Sequence, residues 1–167
     1  LEYFRKIKSR ITSHNLIIAA HFTYGWMPTI LTMRGKLGGV LDIVNSVKEE
    51  ADIGNDELAT VAKLINNSYV GTSKLLHFVN PEKHAIWDSR VGWCILKTKP
   101  DHYRHFKNSE YYFAYLDVIW RISEDSRFTG FKLELEQAVG YSIPNTRAAE
   151  IVLFFRGGKK RDETRES

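Results

Sequence analysis

The sequence predicts an all-α fold, a compact multi-helix domain. Apolar residues recur at three- and four-residue spacing in one segment after another, and no alternation of apolar and polar residues persists over several segments. Glycine, proline and asparagine fall between the periodic stretches, where helices stop and restart.

Residues 1–13 read as a first helix with Phe4, Ile7 and Ile11 on one face, and the apolar run 15–22 as a second. Gly25 and Pro28 then turn the chain. Val40, Leu41, Val44 and Val47 mark an amphipathic helix over 38–50. Gly54-Asn55-Asp56 supplies a turn and a cap for the next, which carries Leu58, Val61, Ala62, Leu64 and Ile65. Asn66-Asn67-Ser68 interrupts it. A short helix follows the turn 68–72 and ends at Asn80-Pro81. Asp88 or Ser89 caps another helix, through Val91, Cys94, Ile95 and Leu96. Residues 110–123 are apolar on nearly every side, which predicts a central helix. Residues 131–139 and 146–155 complete the pattern, the last starting after Pro144-Asn145.

A chain of 167 residues with 43% hydrophobic content can bury one core and is short for two. Residues 1–156 are therefore expected to form a single domain, and the basic, polar stretch 157–167 a disordered tail. His21, Arg121 and Arg147 break the longest apolar blocks, so no membrane span is expected. The first residues show no basic-then-apolar leader, and the single Cys94 excludes an internal disulfide or a four-cysteine metal site. A cytoplasmic setting follows. The net charge of +4 leans toward an anionic partner. His102 and His105, three apart, lack an acidic or cysteine ligand at supporting spacing, so they predict a surface loop and no metal site.

The segment 68–91, SYVGTSKLLHFVNPEKHAIWDSRV, holds the chemistry-bearing pattern. With the helices on either side it makes a helix-hairpin-helix element. A glycine turn feeding a helix N-terminus offers backbone N–H groups to a phosphate, reading DNA backbone and not sequence. Tyr69, Val70, Gly71, Thr72 and Ser73 are the expected DNA contacts, with Arg90 beside them.

This segment resembles the helix-hairpin-helix DNA glycosylases, the superfamily of endonuclease III and 8-oxoguanine DNA glycosylase. Val70-Gly71 is similar to the second half of that family's hairpin, Lys74 lies near its lysine, and Trp87-Asp88-Ser89-Arg90-Val91 is similar to its aspartate segment. The resemblance covers about residues 58–96 and implies a duplex DNA partner and excision of a damaged base, with Lys74 as nucleophile and Asp88 as electrostatic and acid–base residue. It implies no organic cofactor.

A lysine amine must be neutral to attack C1′, and a carboxylate opposite stabilises the positive charge that develops there. Trp26 and Trp87 are candidates to hold the extruded base. Two departures favour an alternative, a non-catalytic DNA- or protein-binding module on the same fold. Ser68-Tyr69 stands where the family has Pro-Gly, and Lys74 falls one residue late, a rotation of about 100° along a helix. On that alternative Asp88 is only an N-cap, Lys74 a solvated side chain and Trp87 part of the core.

Overall fold

The computed structural model describes residue 7 and residues 9–163, with side chains as far as residue 158. Its helices are α1 (Ser13–Tyr24), α2 (Leu37–Lys48), α3 (Asn55–Leu64), α4 (Tyr69–Val79), α5 (Ser89–Leu96), α6 (His102–His105), α7 (Ser109–Glu124), α8 (Phe128–Val139) and α9 (Asn145–Glu163). Among the described residues the extended pairing is limited to one isolated bridge, Met33 to Ile65. The fold is all-α.

The expected first helix differs in its described part. Thr12 is extended and caps α1, its Oγ1 accepting from Asn15 N while Asn15 Oδ1 accepts from Thr12 N. Upstream, Ile11 is buried and donates its N–H to Asn45 Oδ1 at 2.6 Å, and Lys48 Nζ donates to the carbonyls of Ile7 and Ser9. Carbonyls held by side chains of α2 are not in a helical ladder. The rest of that expected helix lies outside the described residues.

α2 and α3 turn Val40, Val44, Val47, Leu58, Val61 and Leu64 inward, as their periodicity requires. The turn between α3 and α4 falls at residues 65–68, earlier than the expected 68–72. Asn66 and Asn67 take left-handed conformations, φ 55° and 49°. Asn66 Oδ1 accepts from Thr32 N at 2.6 Å, and its Nδ2 donates to Ile30 O at 2.8 Å. Asparagine tolerates this backbone and ties it to the 30–34 loop. Asn66→Ala is expected to cost about 2 kcal/mol, from two lost hydrogen bonds and a strained φ. Asn66→Gly, which relieves φ but not the bonds, should cost less in urea denaturation; equal losses would exclude the backbone contribution.

The core's largest side chain is Trp87, 1% exposed, with its ring centroid 5.3 Å from Phe106 and 5.1 Å from Tyr115. It enters the core because the strap 80–88 is pinned along its length. Asn80 Nδ2 donates to Val47 O, Ser73 Oγ accepts from Trp87 N at 3.0 Å, Tyr115 Oη donates to Ile86 O, and Thr146 Oγ1 donates to Pro81 O. The expected central helix is α7, which buries Tyr112, Tyr115, Leu116 and Ile119 and leaves Trp120 half-exposed.

Residues 157–163 of the expected tail are helical in α9, and residues 164–167 lie outside the described residues. The helix continues through Gly157 and Gly158 to Glu163, and Gly157 lies directly against the backbone of α5. A Cβ built on Gly157 would lie 1.7 Å from the carbonyl oxygen of Arg90 in α5. Gly157, which read as part of a loose end, is the point of contact of a helix pair.

Candidate active-site cleft

A cleft of about 760 Å³ opens where α1, α4, α8, α9 and the start of α5 meet. Its size and largely apolar walls suit a small organic ligand. Aromatic residues form much of the wall: Phe22 meets Phe78 edge-on at 5.2 Å and Trp26 at 6.5 Å, and Tyr141 and Phe154 contribute from the other side.

The polar groups come from three elements. Lys74 projects from α4, Asp88 stands at the N-cap of α5, and Arg147 and Glu150 lie on α9. The cap positions Asp88: its Oδ1 accepts from Arg90 N at 2.9 Å and Val91 N at 3.0 Å, while no hydrogen bond within the described residues engages Oδ2. Arg90 extends across α9, its guanidinium 4.6 Å from the Phe154 ring centroid, a cation–π contact.

Burial sets the protonation of this group. Desolvation lowers the Lys74 amine below the ordinary lysine value, opposed by the negative charges of Asp88 and Glu150. Burial pushes the Glu150 carboxyl up to about 7 and nearby Asp88 adds to the rise; the Arg147 guanidinium and the Ile86 N–H pull it back. Glu150 is 2% exposed, with Oε1 paired to Arg147 and Oε2 accepting from Ile86 N at 3.3 Å.

The cleft therefore brings together Lys74 and Asp88, fourteen positions apart in an expected site, with Arg90 at its side and Trp26 at its mouth. Trp26 is 76% exposed. Trp87 is excluded from the role of base-pocket wall, since its ring is sealed in the core between Phe106 and Tyr115.

The hairpin residues are turned inward. Gly71, Thr72 and Ser73 are buried, and Tyr69 and Val70 half-buried. Ser68 Oγ accepts from Gly71 N, Thr72 Oγ1 donates to Ser68 O, and Ser73 Oγ donates to Val70 O while holding Trp87 N. Gly71 is required by packing: a Cβ there would lie 2.7 Å from the Tyr24 hydroxyl. With Ser68 capping the first turn, the arrangement of α4 departs from a phosphate-binding turn of outward N–H groups.

Glu150 and Arg147 are the charged cleft residues that the sequence motif did not reveal. Their one local signal is an acid inside the run Ala148-Ala149-Glu150-Ile151-Val152-Leu153, where apolar periodicity predicts a core face. Elsewhere, His105 Nδ1 is engaged with the N–H of Asp101 at 2.8 Å, and no described group of three His, Cys, Asp or Glu residues is arranged to hold a metal ion. No helix among the described residues is long and apolar enough to cross a membrane. The chain matches no known protein-family model, and no curated protein or solved structure shows significant similarity to it.

Proposed function

We propose that the cleft is a base-excision site acting on duplex DNA, in which Lys74 attacks C1′ of a nucleotide turned out of the stack and Asp88 supports the charge that develops there. The observation that carries this reading is the convergence of Lys74 and Asp88 on one aromatic-walled cleft. An extruded base needs apolar walls to stack on and a cavity large enough to admit it. The lone pair of the neutral amine forms the new C–N bond as the C1′–base bond breaks and its electrons leave with the base. The resulting ammonium loses a proton, and ring opening yields an iminium that borohydride reduces. Burial of Lys74 enlarges the neutral fraction that starts this sequence. Asp88 keeps Oδ2 for the sugar while Oδ1 is spent on the helix cap. Arg90 supplies a cation for a flanking phosphate.

The test is borohydride trapping on labelled duplexes bearing oxidised, alkylated, deaminated and abasic sites. Wild type is expected to form a covalent complex that Lys74→Ala abolishes, and Asp88→Asn is expected to slow its formation by roughly 10²-fold or more. Trapping that survives in Lys74→Ala would exclude this lysine as the nucleophile. A second reading, a non-catalytic DNA- or protein-binding module, is favoured by the inward-turned hairpin residues Gly71, Thr72 and Ser73. Wild type that traps on no duplex would make it the better account.

A further inference from the structure

We propose that the segment 97–107, which joins α5 to α7, is the surface on which the phosphate backbone of duplex DNA lies, with Lys97, Lys99 and Arg104 as its phosphate contacts. The inference rests on the reading of the cleft as a duplex-DNA site and names a second surface for that duplex, outside the cleft. The hairpin that the sequence singles out for backbone contacts is capped by Ser68 and packed inward. A duplex drawn to this chain is therefore held by other groups.

Charge is concentrated in this segment. Lys97, Lys99, Arg104 and Lys107 fall within a stretch that holds one acid, Asp101, in a chain whose net charge is +4. The acid serves as the cap of α6, its Oδ1 accepting from Arg104 N at 2.6 Å. Lys97, Lys99 and Arg104 are exposed, and no ion pair or side-chain hydrogen bond among the described residues engages their charges. Several other surface cations are paired with acids: Arg10 with Asp42, Arg127 with Asp125, and Lys132 with Glu136. Between the unpaired cations stands Tyr103, 81% exposed, whose hydroxyl can donate to a phosphate oxygen.

The segment is held in shape by the fold. Pro100 and Phe106 pack on α5 at Gly92, where an added Cβ would lie 2.8 Å from Pro100 Cγ and 3.2 Å from Phe106 Cζ, and Phe106 meets the Trp87 ring in the core. Lys107 Nζ donates to Asn67 O, which ties the segment to the turn before α4. Cations on a fixed surface lose less freedom on binding than cations on a loose tail. Their place suits a duplex whose target nucleotide occupies the cleft. Asp88 and Lys97 cap the two ends of α5, about 13 Å apart along its axis, the rise of about four nucleotides of one strand. Lys97 also takes a left-handed conformation, φ 57°, where glycine would be relaxed and a lysine is strained.

The test is binding to a labelled duplex by fluorescence anisotropy between about 50 and 200 mM salt. It compares wild type, a triple variant carrying Lys97→Gln, Lys99→Gln and Arg104→Gln, and a control carrying Arg10→Gln, Lys36→Gln and Arg121→Gln, which lowers the net charge equally. In the first variant the slope of log Kd against log salt is expected to flatten by about 0.9 per lost contact, near 2.7 in all, on damaged and undamaged duplexes alike. The control should keep the wild-type slope. No flattening in the first variant, or equal flattening in both, would overturn the surface. Lys97→Gly separates binding from structure: relief of φ is expected to raise its urea midpoint while duplex binding weakens and the slope flattens by about 0.9. Unchanged binding in that variant would show that Lys97 serves the helix end alone. Borohydride trapping at saturating protein should be unaltered in the triple variant. A wild type that binds duplex with the expected slope and never traps would remove base excision and leave this surface standing. Failure of wild type to bind any duplex at the lowest salt would remove both, and pelleting with anionic phosphatidylserine vesicles in that case would assign the patch to lipid.

Discussion

Gly157→Ala is expected to destabilise the protein by about 3 kcal/mol or more, whereas Gly158→Ala is expected to be neutral or stabilising by up to about 1 kcal/mol. The added methyl at residue 157 would lie 1.7 Å from the Arg90 carbonyl oxygen and 2.6 Å from its carbonyl carbon. Those are backbone atoms, so no rotamer change relieves the clash, and α5 and α9 must separate. At Gly158 the nearest atoms belong to the flexible Arg90 side chain, 3.8 Å or more away, so alanine contributes its helix propensity unopposed. Against a typical domain stability of about 5–15 kcal/mol, the first change is large. It should also damage the cleft, because α5 starts at Asp88 and α9 carries Arg147 and Glu150. Chemical denaturation of both variants checks this. Equal midpoints for the two alanines would mean that the helices do not meet at Gly157.

The second large effect is acid destabilisation through His77 and His84. Both are buried, and burial lowers each from the ordinary imidazole value of 6.5 to about 4. His77 Nδ1 donates to the His84 carbonyl at 2.6 Å, His84 Nδ1 meets the Tyr112 hydroxyl at 3.2 Å, and neither Nε2 has a partner among the described residues. Charging either ring places an unpaired cationic N–H in the core.

Because the folded pKa lies below the unfolded one, the unfolded chain takes up these protons first. Stability is full above pH 6.5 and is lost as pH falls toward 4, by roughly 3 kcal/mol per histidine at most. Glu150 works in the opposite sense. Its folded pKa lies above the unfolded value of 4.5, so its contribution is full below that pH and is lost as pH rises through about 7. Near pH 5.5 two protons taken up by the unfolded state are offset by one held in the folded state. The net slope is about one proton, near 1.4 kcal/mol per pH unit. Glu150→Gln is expected to steepen it toward two protons and His84→Gln to flatten it toward zero, both measured by urea denaturation at pH 4.5 to 7.5. A Glu150→Gln slope equal to wild type would show that the buried carboxyl does not hold its proton through this range.

Much of the helical framework was legible from residue pattern. Val40, Val44 and Val47 in α2 and Leu58 and Val61 in α3 occupy the places their spacing assigns, and of the two expected caps of α5, Asp88 or Ser89, Asp88 is the one that forms. Local chemistry decides such features: a 3.6-residue period selects the buried stripe, and a carboxylate oxygen satisfies the first free N–H groups. Errors clustered where long-range partners overrule local preference. Residues 7–11 are drawn away from a helix by Asn45 and Lys48 of α2. Gly157, unfavourable in an isolated helix, is accommodated in α9 by close packing on the backbone of α5.

The sequence by itself determined the all-α class and placed a helix cap at Asp88 or Ser89, because both depend on residue type and short spacing; the candidate pair Lys74 and Asp88 came from the local resemblance. Only the tertiary structure decided that Trp87 belongs to the core, that Gly71, Thr72 and Ser73 face inward, and that Glu150 joins Lys74 and Asp88 from a helix more than sixty residues away in sequence. Burial is a property of the assembled fold. It cannot be read from a side chain's own neighbours in the chain, and here it shifts the protonation of Lys74 and Glu150.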